Sequence, residues 1–457
     1  MSKNSAVDIL NGPIWKQLLI FFFPILLGTF FQQIYNTTDT VIVGNFVGKE
    51  ALAAVGGSPF YLINLFIGFS IGMSSGASVI ISQFYGSKKR KPLSEAVHTS
   101  VAFSSIIGII LTILVLVFGK YILILLKVPQ DSLQESLKYL NIVSIGFVFS
   151  MLYNMGTGIF RAIGNTKKPL YFLIISCITN IILDLFFVVY LKLNVAGVAI
   201  ATVISQFISV ILTFYSLSHI HESYKLYFSK IKITPIILGR ILKISIPRGL
   251  QSVLFSISNL IVQSSINLLG TDYIAGWTVD TKVEQMFWMI CSCFGVAITT
   301  FTAQNFGARK YERVTQGLVT CFKMTIIATV CISTIIYAFG PKLAQLFTND
   351  QEVVNVAVTM LRILAPCYVL YLGVEMIAGF LYGIGISLVP MIITASGICI
   401  FRVLWVIIVV GKEPTLHKVI GCYPTSWALT SLIFILYYKF SKSRKILLRI
   451  EKNPNEN

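Results

Sequence analysis

VFSMLYNMGTGIFRAIGNTKKP (residues 148–169) returns 221 residues later as VLYLGVEMIAGFLYGIGISLVP (369–390). Val148, Met155, Gly158, Ile163, Gly164 and Pro169 recur as Val369, Met376, Gly379, Ile384, Gly385 and Pro390. Upstream, Gln83 and Gly86 recur at the same offset as Gln304 and Gly307. A constant offset over more than 80 residues of apolar sequence marks an internal duplication. The chain reads as two copies of one unit of about 220 residues, the usual build of a secondary transporter with its substrate path between the copies.

Each copy is almost wholly membrane-spanning. Hydrophobic residues make up 56% of the chain, charged residues 12%, and mean hydropathy is +0.81. A soluble protein of this length needs about a quarter of its residues charged to cover its surface. Apolar runs long enough to cross a hydrocarbon core of about 30 Å recur throughout. They predict an all-α membrane protein with twelve spans, near 16–41, 52–82, 96–118, 137–160, 169–190, 197–218, 246–269, 280–304, 317–339, 356–380, 389–410 and 420–438. Six spans per copy is an even number, so both copies share one orientation, related by a pseudo-two-fold axis along the membrane normal. The organisation expected is an N-lobe (1–218), a linker (219–245), a C-lobe (246–438) and a basic tail (439–457).

The net charge of +18 is a matter of topology. With both termini inside, the inner segments carry 23 Lys and Arg and the outer segments 7. That bias places both termini in the cytoplasm and explains the basic charge by contact with anionic lipid, not nucleic acid. The basic linker, interleaved with Tyr, Phe and Ile, suits a segment lying along the headgroups. The first residues lack the pattern of a removable signal peptide, so the first span directs insertion. The eight cysteines show no disulfide framework and read as small apolar residues.

Polar residues inside spans are costly and therefore informative. In span 1, Asp39 follows Gln33 and Asn36 on one side of the helix, and Pro24 marks a bend. In span 5, Asn180 and Asp184 lie one turn apart on one face. An ionised carboxylate in a bilayer costs about 3 kcal/mol on insertion scales. Two such acids in one lobe point to a proton-exchange site or to an oxygen cage for a monovalent cation. The competing reading for each is a capping or interfacial residue near a span end.

YNTTDTVIVGNFVGKEALAAVG (35–56), SQFYGSKK (82–89), RAIGNTKKP (161–169), NIILD (180–184) and GVAIATVISQ (197–206), in this order and spacing, resemble the multidrug and toxic compound extrusion (MATE) family. The resemblance covers essentially the whole chain. It implies export of amphipathic, mostly cationic compounds in exchange for H⁺ or Na⁺, from the plasma membrane, by a monomer with no cofactor beyond the coupling ion. In the DinF-like and archaeal branches the cation site comprises an Asp on span 1, an Asn-x-x-x-Asp pair on span 5 and a Thr on span 6. Those positions match Asp39, Asn180, Asp184 and Thr202 here, and the hinge proline matches Pro24. Where many members follow the span-5 Asp with Pro, this chain has Leu185, which puts the bend of span 5 in question.

The second copy lacks these acids. Pairing Pro247 with Pro24 sets Asn259 opposite Asn36 but Val262 opposite Asp39, and Phe401 and Trp405 stand for Asn180 and Asp184. The coupling acids are thus expected in the first lobe alone. Span 7 carries Ser252, Ser256, Asn259, Gln263 and Asn267 along one face, suited to a watery cleft or to bonds with neighbouring helices. Glu375 and Arg402 either neutralise each other, or Glu375 faces the cleft to meet cationic substrate, as span-10 acids do in the NorM-like branch. Glu284 with Lys282 reads as an interfacial pair. Tyr35, Asn36, Tyr153, Asn259, Gln263 and Glu375 are the candidate cleft residues; Phe60 and Phe207 are further aromatic candidates. A flippase for lipid-linked saccharides is the alternative, although such proteins tend to have more spans and several deep basic residues. A membrane enzyme is disfavoured, because the chain shows no P-loop, no HExxH and no evident catalytic His in a span: His98 is at a span edge, and His219, His221 and His417 are in or near loops.

Overall fold

The computed structural model describes residues 8–48, 55, 58–126, 128, 130–411 and 413–441, without the side chains of 58, 60, 61 and 131. Twelve long helices account for nearly all of them: α1 Ile14–Phe46, α2 Ser58–Gly86, α3 Arg90–Leu125, α4 Gln130–Ala162, α5 Lys167–Tyr190, α6 Asn194–Ser218, α7 Pro235–Asn267, α8 Thr271–Gly307, α9 Tyr311–Gln345, α10 Gln351–Gly383, α11 Leu388–Val410 and α12 Leu416–Phe440. No β-strand occurs among the described residues. Eleven of the helices are long and apolar enough to span a bilayer. The twelfth, α7, has the length, with 33 residues or about 50 Å, but carries the polar stripe that lowers its hydropathy.

The 221-residue offset governs the helix ends as well as the sequence. α1 and α7 are both 33 residues long and start at 14 and 235; α4 and α10 start at 130 and 351 and end at 162 and 383. Turn conformations repeat too: Lys88 and Arg309 have φ of 56° and 59°, and Gly164 and Gly385 have φ of 86° and 91°. Glycine at the latter pair removes the Cβ clash that makes this region costly.

The helices divide into two units, but not at the helix ends. One unit contains Phe23–Gly249, the other Asp8–Phe22 with Leu250–Asn457. α1 and α7 therefore each contribute to both, changing unit beside Pro24 and just after Pro247. This departs from a boundary in the 219–245 linker, and the packing gives the reason. Ile237, Ile241, Ile244 and Ser245 form a buried stripe at helical spacing, with Arg240 and Lys243 exposed on the opposite face. Residues 235–245 are thus the first turns of α7, not a linker. Ser245 donates its hydroxyl to the Met73 carbonyl at 2.7 Å, and a Cβ added at Gly72 would lie 2.7 Å from Gly249 Cα. In the other unit, Arg313 donates to the carbonyls of Ile9, Asn11 and Gly12, and Phe22 stacks on Phe294 at 4.2 Å.

The connection before α7, residues 219–234, is clamped to α3. His98 Nε2 accepts the Tyr227 backbone N–H at 3.0 Å, while its Nδ1 lies 2.7 Å from the Ser94 carbonyl. Thr99 accepts the Thr234 N–H. Burial, aided by Tyr85 and Glu222, pushes the Tyr224 phenol above its ordinary pKa.

Candidate cation site and the family of the chain

α1, α5 and α6 bring the four sequence-predicted ligands together in the first unit. The Asp39 carboxyl faces that of Asp184 and the Asn180 side chain. Asn180 and Asp184 are fully buried, and Asp39 and Thr202 are each 7% exposed. Local packing fixes the three helices. Ser176 on α5 donates to the Ser205 carbonyl on α6 at 2.8 Å, and the Cys177 thiol reaches the Phe31 carbonyl on α1 at 3.8 Å.

The chemistry lies in what these atoms lack. One oxygen of Asp39, both of Asp184, the Asn180 amide oxygen and nitrogen, and the Thr202 hydroxyl are buried without a hydrogen-bond partner. Buried polar groups are ordinarily satisfied, and each orphan costs about 1–3 kcal/mol. Five of the six orphans are oxygens able to accept. That donor set fits a proton shared by carboxyls or a small hard cation held by oxygens.

Asp39 and Thr202 also line a cavity of about 230 Å³ within the same unit, together with Pro24, Tyr35, Asn36 and Tyr153. Asn180 and Asp184 are absent from that lining. Arg161 contributes the cavity's positive charge. The Leu185 departure is resolved by the backbone: directly after Asp184, residues Leu185–Tyr190 form a π-helical turn. Such a turn widens a helix without proline and is frequent at functional sites.

Sequence reading missed Tyr139 on α4, whose hydroxyl feels both acids and which lines the cavity. A lone Tyr near a span end carries no signal until α4 is docked. Asn259, Gln263 and Glu375 belong to the second unit. There Asn259 accepts from Arg402 Nη1 at 3.0 Å, and Glu375 accepts from Tyr371 at 3.4 Å. Arg402 also donates to Ser426 at 3.1 Å. Phe207 is exposed and packs on Phe149; the Phe60 side chain lies outside the described residues.

One reading is corrected. Glu284 does not pair with Lys282 at an interface: Lys282 is exposed, whereas Glu284 is buried and accepts the Trp288 indole N–H at 3.2 Å. Adjacent side chains two residues apart point to different helix faces. Because α8 starts at Thr271 and not near 280, Glu284 lies more than three turns inside the helix.

A family model described as MatE matches residues 24–186 and again 247–408, once for each copy of the repeat. The chain belongs to the MatE family. As a MatE protein it is a multi-pass membrane transporter and not an enzyme. It is 29% identical over 449 residues to the probable multidrug resistance protein YoeA of Bacillus subtilis, covering 96% of each chain. It is 24% identical over 374 residues to a FAD transporter of Shewanella oneidensis, covering 81% of this chain and 82% of that protein. An outward-facing multidrug resistance MATE family transporter superposes with a TM-score of 0.89 at 22% identity, over 99% of this chain and all of that one. A MOP superfamily transporter from Pyrococcus furiosus also gives a TM-score of 0.89, at 22% identity over 97% of this chain and 99% of the other.

Proposed function

We propose that this MatE protein is a secondary active multidrug efflux antiporter, exporting amphipathic, mostly cationic compounds in exchange for H⁺ or Na⁺. The observation that carries this reading is the set of buried, unpartnered oxygens of Asp39, Asn180, Asp184 and Thr202 beside a cavity lined by Tyr35, Asn36 and Tyr153. Ionised, the two acids are costly in a low-dielectric interior and favour a hydrated first unit. Neutralised by H⁺ or Na⁺, they favour a closely packed one. Pro24 removes one helical hydrogen bond and gives α1 a place to bend between the two states. Each arrangement prefers one occupant, and that preference couples the ion gradient to the drug.

The Lys and Arg bias supports cytoplasmic termini in the plasma membrane, with the basic segments against anionic lipid, and each chain works as a monomer. The saccharide-flippase reading is not favoured, since relatives along almost the full length carry multidrug resistance names. The test is transport of a fluorescent organic cation across inverted membrane vesicles, with pH and Na⁺ gradients imposed separately. Transport should follow at least one of them. Transport indifferent to both, or none at all, would count against the proposal.

A further inference from the structure

The connection between α6 and α7 is held in one shape. Tyr224 and Leu226 are buried, and the Leu226 N–H donates to the Leu217 carbonyl at the end of α6, at 3.1 Å. Phe228–Lys230 form a single 3-10 turn, closed by the Lys230 N–H on the Tyr227 carbonyl at 2.9 Å. Downstream, the Thr99 hydroxyl on α3 accepts the Thr234 N–H at 3.1 Å and lies 3.4 Å from the Lys232 carbonyl. Together with the bond from the Tyr227 N–H to His98, these contacts fix the strip at both ends.

The outward side of the strip combines charge with apolar surface. The Lys225 and Lys230 ammoniums lie 5.2 and 4.5 Å from the centre of one ring, that of Tyr227, which is itself stacked on the His98 imidazole at 6.3 Å. A cation over an aromatic face is held in place without being neutralised. Among the described residues neither lysine makes an ion pair. Glu222 is the one acid between residues 219 and 245, against Lys225, Lys230, Lys232, Arg240 and Lys243. Beside the lysines, Phe228, Ile233 and Ile236 are 61%, 37% and 75% exposed. The strip joins two membrane-spanning helices and therefore lies at a bilayer surface. There, apolar side chains enter the acyl boundary while ammoniums stay among the headgroups.

We infer that Lys225, Lys230 and Tyr227 form a binding site for one anionic phospholipid. Its phosphodiester lies against the two ammoniums, and its acyl chains run along Phe228, Ile233 and Ile236. A zwitterionic lipid brings an ammonium of its own to the same place and is disfavoured. A soluble phosphate ester lacks the chains that the apolar side chains receive. The site rests on the placement of the basic segments against anionic lipid in the function proposed above, and adds one localised position where general attraction is spread over every basic segment.

The test titrates the full-length protein in detergent with phosphatidylglycerol and, separately, with phosphatidylcholine of the same chains, and counts bound lipid by native mass spectrometry. Phosphatidylglycerol should bind saturably and at least about fivefold more tightly, and Lys225→Gln with Lys230→Gln should remove at least about a fivefold of its affinity. The control pair Lys88→Gln with Lys91→Gln removes the same charge from exposed positions on another basic segment. It should change the affinity by less than about twofold. Tyr227→Leu keeps both lysines and the backbone bond to His98, and should weaken binding at least about threefold by releasing the ammoniums. Equal losses from the two lysine pairs would overturn the localised site while leaving the general attraction of basic segments for anionic lipid intact. No preference for phosphatidylglycerol in the unmodified protein would overturn both. Unmoved affinity in Tyr227→Leu, or displacement of the lipid by soluble glycerol 1-phosphate at equal concentration, would also overturn the site.

Discussion

Replacing Gly76 by alanine should loosen the crossing of α2 with the first turns of α7. A Cβ at Gly76 would lie 2.5 Å from the Ser245 amide nitrogen and 2.7 Å from its Cα. These are backbone atoms, so no rotamer change relieves the clash. Restoring ordinary van der Waals separation requires the helices to part by about 0.8 Å. Such overpacking costs about 1–3 kcal/mol. The same displacement stretches the 2.7 Å bond from Ser245 to the Met73 carbonyl beyond hydrogen-bonding range, losing about another 1 kcal/mol. The total of about 2–4 kcal/mol corresponds to a Tm lower by roughly 5–12 °C for a unit of this size. Thermal unfolding of purified protein, followed by fluorescence-detected size exclusion, reads the shift. Gly239→Ala is the matched control: it lies in α7 with nothing within 4 Å of an added Cβ, and should be neutral or slightly stabilising. If Gly76→Ala melts within 1 °C, on the order of a small fraction of a kcal/mol, of the unmodified protein, the close crossing is not what holds α7 in the first unit.

Single cysteines placed at Lys89 and Lys342 should be labelled from opposite sides of the membrane, and access from one side only would refute the topology. Tyr139→Phe, which removes a hydroxyl facing both acids, should weaken coupling-ion affinity about 5- to 10-fold, equivalent to about 1 kcal/mol, measured as the midpoint of ion-driven transport. An unchanged midpoint would leave Tyr139 as packing alone. His98→Leu deletes the acceptor for the Tyr227 amide, so hydrogen exchange at Tyr227 should speed up at least about 5-fold, reflecting loss of roughly 1 kcal/mol of local protection. Exchange at the original rate would show that the clamp on residues 219–234 does not depend on His98.

Much of the architecture is legible in the chain because its determinants are local and periodic. The 221-residue repeat foretells helix ends that coincide across the copies, and the cost of charge in a membrane singles out Asp39 and Asp184 before any packing is known. What escapes the sequence depends on neighbours. Pro247 reads as the entrance to span 7, yet α7 starts twelve residues earlier because Ile237, Ile241 and Ile244 bury one face against the first unit. The π-helical turn after Asp184 replaces a missing proline with a backbone adjustment that no residue type announces. Asp280 and Glu284 do carry a signal, two acids at i, i+4. A span 8 starting near residue 280 makes these carboxyls look interfacial, whereas α8 starts at Thr271 and holds them in its interior.

The most direct test of the account is gradient-driven efflux by Asp39→Asn and Asp184→Asn. Each substitution keeps the side-chain shape and removes the charge that an ion must neutralise. Both variants should reach the membrane at normal levels, and each should lose efflux driven by a pH or Na⁺ gradient. If both keep full, ion-dependent efflux, the first-unit acids are not the coupling site and the account fails at its centre.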